Sequence, residues 1–277
     1  MAITASDVVT EDDFASVVEQ ATEESRGFRE VFRPYPVEAG EGPTVDILEM
    51  PDGNDFFDPD DVESIGELSE YPRADPDQLG STQVEVGKEG FETAISDEAV
   101  GRGKVPEQLR LAANMSRAHN KYLDNIAGSL LLGNLATETA GDAAGDGISW
   151  TDLVRARTIL RNSDREPTHL LHEPMGTESL LLDSHISERS TNMSDSAIRT
   201  GGLPNLLGLE TIEVTTGLGD YEAVMVDRSR YGYEATEDLL DSISSYRLEE
   251  KDGTAYKIRQ FKGWKIMDGD GAVKIEG

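Results

Sequence analysis

From Leu109 to Leu130, apolar and half-apolar side chains recur at steps of three and four: Leu109, Ala112, Met115, His119, Tyr122, Ile126 and Leu130. That spacing draws one continuous stripe along a helix. The segment 107–136 contains no proline, and Pro106 just before it suits a first helical position. At 1.5 Å per residue the predicted helix is a rod of about 45 Å. A glycine-rich run, AGDAAGDG at 140–147, ends it.

Other patterns flank the rod. Thr10 can cap a helix that starts at Glu11, with Asp13 at its third position and Phe14, Val17, Val18 and Ala21 as its apolar face. This pattern breaks near Gly27 and ends before RPYP at 33–36. PTVDILEM (43–50) predicts a strand. STQVEVGKEGFETAIS (81–96) predicts a second, with Val84 and Val86 alternating with Glu85 and Gly87. Residues 51–81 between them are rich in aspartate, proline and glycine. Two strands around such a segment predict a long hairpin with an acidic tip. A loop of that length is uncommon inside a compact domain and makes more sense projecting onto a neighbouring subunit. After the rod, Ser149 and Asp152 open a short helix to about Arg161, and 176–183 forms another. Residues 184–207 read as a polar loop. LETIEVTTG (209–217) and YEAVMVD (221–227) are expected to pair as a hairpin around GLGD. The last fifty residues read as strands, with turns at Asp252-Gly253 and DGDG (268–271). The mixture is α+β, without an internal repeat.

Composition narrows the classes. The chain has 277 residues and no cysteine, which removes disulfides and thiolate metal sites. The longest mainly apolar stretch, Ile126–Leu132, is far below the ~20 residues that span a bilayer. MAITASDVVTEDDF has neither the basic flank nor the apolar run of a secretory signal, so a soluble protein working where it is made is expected. Charge dominates: 55 acids against 25 bases give a net of −30. Residues 1–100 hold 27 acids and 5 bases, and the remainder 28 acids and 20 bases. An acidic, lysine-poor globular chain has the profile of adaptation to molar salt, where screening lengths shrink to ~3 Å. The alternative is an acidic half that meets a basic partner. No basic patch stands out in the linear sequence, so direct nucleic-acid binding through one is not expected.

The candidate chemistry centres on THLLHEP (168–174), where His169, His172 and Glu173 form an H-x-x-H-E run. This is neither H-E-x-x-H nor H-x-x-E-H. Histidines three apart share a metal only on a helix, where they lie about 60° apart. Pro167 and Pro174 bracket the run and push their predecessors toward extended geometry. A strand follows, which sends His169 and His172 to opposite faces, as residues near a surface or an interface. DGDGAVKIE (268–276) begins like a calcium loop, yet Val273 holds the obligatory glycine position. PDGNDFFDPDD (51–61) fails at Phe57 in the same way. GRGK (101–104) lacks the spacing of a phosphate loop, and no serine sits in a nucleophile elbow. His119 lies on the apolar stripe and reads as a packed residue. No catalytic, cofactor-binding or metal residue is assigned, and an enzyme is not expected. The reading from another class is a metal-dependent hydrolase using His169, His172 and Glu173.

Three stretches carry a family resemblance: TAISDEAV before the rod, PTHLLHEPMGTESLLLD, and FKGWKIMDGDGAVKIEG at the end. In this order, with the rod between the first and second, they resemble the major capsid proteins of tailed double-stranded DNA viruses, the fold of bacteriophage Hong Kong 97. With the acidic composition, the resemblance implies a virus of a halophilic archaeon. It implies an N-terminal arm (1–42), an extended loop over an adjacent subunit (43–100), and a spine helix of a peripheral domain (101–147). It further implies an axial domain (148–220) and peripheral strands (221–277), the last strand returning to the axial sheet. Pentamers and hexamers would close an icosahedral virion capsid around double-stranded DNA, without sequence-specific contact, in the host cytoplasm. Separate scaffolding, portal and decoration proteins are the implied partners, with no membrane and no cofactor. Some family members cross-link an extended-loop lysine to a peripheral asparagine. Here Lys88 is the only lysine before Lys104, and no asparagine follows Asn205, so no such mesh is expected. A cellular nanocompartment shell of the same fold is the near alternative.

Overall fold

The computed structural model describes residues 27–37, 44–48, 81–98, 105–135, 139–141, 147–183, 206–215, 217–219, 222–237 and 243–277. The elements in chain order begin with β1 (Arg33–Val37), β2 (Thr44–Leu48), β3 (Ser81–Glu85), β4 (Gly87–Ser96) and α1 (Val105–Gly133). Then come β5 (Thr139–Gly141), α2 (Trp150–Asn162), β6 (His169–His172), α3 (Pro174–Leu182) and β7 (Glu210–Glu213). The chain closes with β8 (Glu222–Val226), β9 (Gly232–Glu237), β10 (Ile243–Leu248), β11 (Gly253–Ile266) and β12 (Ala272–Glu276). The helix expected from Glu11, the acidic tip between the hairpin strands, and the loop after Asp183 up to Asn205 lie outside the described residues.

The rod helix α1 forms where the spacing predicts it. Its buried line, however, runs through Ala112, Met115, His119, Leu123, Ala127 and Leu131. Tyr122 is left exposed and Ile126 and Leu130 half-buried. Apolar residues come in adjacent pairs at 122/123, 126/127 and 130/131, and the i+4 row 119–123–127–131 is the ridge that packs. A 3-10 turn, Phe28–Val31, lies against this ridge. Gly128 makes room for it, because a Cβ there would stand 2.6 Å from Cδ2 of Phe28. The helix-weakening glycine is kept for a close contact.

One sheet is built on β11, with β4 antiparallel along one edge. Along the other edge β10 and β9 follow end to end, both antiparallel. β1 extends it, parallel to β9 from Arg33↔Tyr233 to Val37↔Glu237. The sequence pattern ends its first helix before RPYP and assigns that stretch no element; it is strand. Pro34 and Pro36 share one side of β1 by the period of two, and β1 is an edge, so their missing N–H groups face away from the ladder. β2 and β3 pair from Thr44↔Glu85 to Leu48↔Ser81, as the two flanking strands predict. Gly263 of β11 lets this arm come close, since a Cβ there would meet the Glu85 carbonyl oxygen at 2.2 Å.

The other sheet has the order β5-β12-β8-β6-β7. The expected hairpin between 209–217 and 221–227 does not form. β6 lies between the two strands, parallel to β7 and antiparallel to β8. The GLGD turn therefore spans a whole strand, a long-range insertion that no local pattern encodes. β12, the last strand, also belongs to this sheet and pairs with β8 and β5. Both faces are buried. Ala223 and Met225 of β8 and Leu170 of β6 join Leu153, Ala156 and Leu160 of α2 and Leu180 of α3 in one core. Val224, Val226 and Leu171 join Phe28, Phe32, Leu131 and Tyr231 in the other. α2 starts with the predicted capping box: Ser149 Oγ accepts from Asp152 N at 3.3 Å, and Ser149 N donates to Asp152 Oδ2 at 3.1 Å.

Candidate functional site

The histidine strand is as short as its prolines require. All four residues of β6 are buried, and the two histidines are 6% and 3% exposed. The expectation of a surface or interface strand is corrected: neighbours on both edges and a core on each face enclose it. His169 and His172 do project to opposite faces. His169 Nδ1 lies 2.8 Å from Thr168 Oγ1, and Nε2 lies 3.5 Å from Glu210 Oε2 on β7. His172 Nδ1 lies 3.2 Å from the Glu173 carbonyl oxygen, which only accepts, so Nδ1 carries the proton. Glu173 caps α3 by accepting from Gly176 N at 3.1 Å. Thr177 Oγ1, 3.2 Å from His172 Nδ1, donates to Glu213 Oε2 at 3.2 Å. Burial lowers both imidazole pKa values below the ordinary range. For His169 the Arg228 charge adds to burial against Glu210 and Glu30. For His172 burial outweighs the Glu173 carbonyl and the Glu213 and Glu173 charges. Each of the three residues is committed to a different structural contact, and they do not converge on a common point. Among the described residues no cluster of three metal-ligating side chains forms.

The DGDG turn is equally committed. Asp268 caps its own 3-10 turn by accepting from Asp270 N at 3.1 Å. It also receives both Nε (2.6 Å) and Nη2 (2.8 Å) of Arg165. That bidentate pair ties the end of α2 to the β11–β12 connection. The tip segment 51–61 and GRGK lie outside the described residues.

Where the 3-10 turn meets α1 and β9, an open cleft of about 470 Å³ forms, lined in part by Arg29, Arg117, Lys121, Asp124, Arg228 and Glu234. Glu234 is the anchor of its floor. It accepts from Arg29 Nη2 at 2.7 Å and pairs with the buried Lys262. Burial alone would raise the Glu234 pKa. Hydrogen bonds and charge from Arg29 and Lys262 outweigh it and hold the carboxyl below the usual range. Asp124 of α1 accepts from Arg29 N at 3.0 Å. Its pKa is raised, because burial outweighs the Arg29 and Phe28 backbone hydrogen bonds. A Cβ on Gly27 would lie 2.3 Å from the Asp124 carboxylate, so glycine permits this latch.

Sequence reading missed one surface. Between residues 110 and 122 the exposed residues of α1 are Arg110, Asn114, Arg117, Ala118, Lys121 and Tyr122, with no carboxylate among them. The signal was available in the spacing of its bases, at seven and four residues, but not in their number.

A family model described as phage capsid protein matches residues 79–275 of the chain. No curated protein matches it in sequence. Among solved structures, the virus-like particle from Pyrococcus furiosus is similar with a TM-score of 0.64 at 12% identity, covering 96% of this chain and 98% of that one. The capsid of Cyanophage P-SCSP1u gives 0.55 at 12% identity, over 100% and 92%. The holo-SrpI encapsulin complex from Synechococcus elongatus gives 0.53 at 11%, over 89% and 85%. At these identities the structures speak to the fold alone.

Proposed function

The chain belongs to the phage capsid protein family, and from that premise we propose that it is the major capsid protein of a tailed virus. Copies assemble as pentamers and hexamers into an icosahedral shell that encloses a double-stranded DNA genome. The observation that carries this reading is the length of the likeness. Fold similarity to a capsid and a virus-like particle runs over 96–100% of the chain, arm strands and sheets included. The role is structural and not enzymatic.

In this reading residues 1–42 are an arm, 43–100 an extended loop, 101–147 the spine helix, 148–220 the axial domain and 221–277 peripheral strands. The pairing of β8 with β6, and of β12 with β8, supports assigning both to the axial sheet. The shell forms in the host cytoplasm with separate scaffolding, portal and decoration proteins. The net charge of −30 supports a halophilic archaeal host, where molar salt screens the repulsion between copies.

Negative-stain microscopy of the purified chain in molar salt tests the shell: closed particles are expected, and dispersed monomer sinks the reading. Dialysis to dilute buffer should loosen the particles. A reducing, denaturing gel should show monomer without covalent ladders, since no asparagine follows Asn205. The encapsulin likeness supports a second reading, a nanocompartment that packages protein. Particles free of nucleic acid would favour it.

A further inference from the structure

We propose that the exposed face of α1 is a sequence-independent contact surface for the phosphodiester backbone of duplex DNA. This rests on the reading of the protein as a DNA-enclosing shell and names the surface that would touch the genome.

The sequence holds no acid between Glu107 and Asp124, in a chain with more than two acids per base. Arg110, Arg117 and Lys121 stand in that interval and are exposed. Offsets of seven and eleven residues return to within about 20° of one direction on a helix. The three charges therefore form one row, about 16 Å long at 1.5 Å per residue. That length covers roughly five 3.4 Å steps of one DNA strand. Asn114 is exposed beside the row and supplies a neutral group of the kind that bonds phosphate oxygens.

Several bases elsewhere are ion-paired inside the chain. On α2, Arg155 lies 3.6 Å from Asp152, and Arg157 and Arg161 lie 3.7 and 2.5 Å from Glu166. On β11, Lys262 pairs with Glu234. Arg110 and Lys121 have no ion pair among the described residues. Arg117 has an interaction within the chain, and its guanidinium carries five donors. The nearest acids flank the row: Glu89 is hydrogen-bonded to Tyr122, and Asp124, Glu30, Glu213 and Glu234 line the cleft whose wall Arg117 and Lys121 also form. Of these, Asp124 holds Arg29 N, Glu213 holds Thr177, and Glu234 holds Arg29 and Lys262. A basic stripe along a helix is the electrostatic footprint of nucleic-acid binding.

The test is fluorescence anisotropy of a short random-sequence duplex with the full-length chain across a salt series. Each neutralised phosphate contributes about −0.9 to the slope of log affinity against log salt. Three contacts predict a slope of about −2.7, an affinity loss of roughly 40-fold for a fourfold rise in salt. The triple variant Arg110→Gln, Arg117→Gln, Lys121→Gln should abolish that slope with an unchanged circular dichroism spectrum. Asn114→Lys should steepen it by about 0.9. Affinity that rises with salt in the wild type, or a triple variant with the wild-type slope, overturns the proposal. So does a triple variant that loses particle assembly and keeps its DNA slope, which would assign the row to contact between copies. A wild type that binds DNA with the expected slope yet forms no particles would sink the shell reading and leave this surface standing.

Discussion

In the sheet built on β8, both faces are buried and mainly apolar, with buried His169 and His172 of β6 as polar exceptions. Val224, Val226 and Leu171 are fully buried on one side, and Ala223, Met225 and Leu170 on the other. In the sheet built on β11, the central strand mixes buried and half-exposed residues without regular alternation, and its buried positions include Lys262. There Lys262, Glu234 and Arg29 form an ion network. The first sheet is held by area removed from water and tolerates no loss of volume. The second is held at its join with α1 by charges that stabilise only as a set. The first sheet is packed mainly through apolar side chains, whereas the second fixes its position against α1 through the buried Lys262–Glu234–Arg29 set.

The sharpest way to break this contrast is Glu234→Ala. Removing one partner of a buried ion set leaves Lys262 uncompensated and should cost about 3–5 kcal/mol. The double variant Glu234→Leu, Lys262→Met should recover most of it. Chemical denaturation of the three proteins measures this, and a double variant as weak as the single one would refute the account. Next is Leu171→Ala, expected to cost about 2–5 kcal/mol by transfer and cavity terms. Phe261→Ala at a half-exposed position of β11 should cost clearly less. Equal costs would mean that the two sheets do not differ as described.

A titration sharpens the same comparison. His119 is 4% exposed, its Nε2 has no hydrogen-bond partner among the described residues, and its ring lies 6.3 Å from that of Phe91 on β4. Burial, with Arg29 and Lys262 adding to it, lowers its pKa from 6.5 to about 4. Between these values the unfolded chain binds a proton that the folded chain refuses. Stability therefore rises with pH across this window and falls as pH drops from 6.5 toward 4, by on the order of 3 kcal/mol. His119→Leu should flatten that limb of a stability-against-pH curve. An unchanged limb would assign it to other groups.

The parts of this fold that were legible from sequence are local. Periodicity located α1, Ser149 and Asp152 marked the start of α2, and two prolines fixed β6 as a short strand. Strand order was not legible. Nothing in 209–227 signals that β6 must lie between β7 and β8, because that pairing is carried by residues some forty positions away. β1 was hidden by prolines that are harmless only on an edge. The burial of His169 and His172 depended on those same unseen neighbours. The basic row on α1 was hidden differently: three bases are too few to register as a patch until helical geometry aligns them.

The smallest expected effect separates two carboxylates in one cleft. Glu234 has a lowered pKa, so its contribution is present at neutral pH and is lost as pH falls through its folded value. Asp124 has a raised pKa, so burial opposes its charge, and protonation favours the fold as pH falls. Asp124 nonetheless supplies an oxygen to Arg29 N in the manner of a helix cap. Asp124→Asn keeps one acceptor oxygen and removes the opposed charge, so the change in stability should stay below about 1 kcal/mol. Asp124→Ala removes the acceptor as well and should cost about 1–2 kcal/mol. If Asp124→Asn proved as damaging as Glu234→Ala, the charge on Asp124 would be the latch, and the distinction between a cap and an ion network in this cleft would collapse.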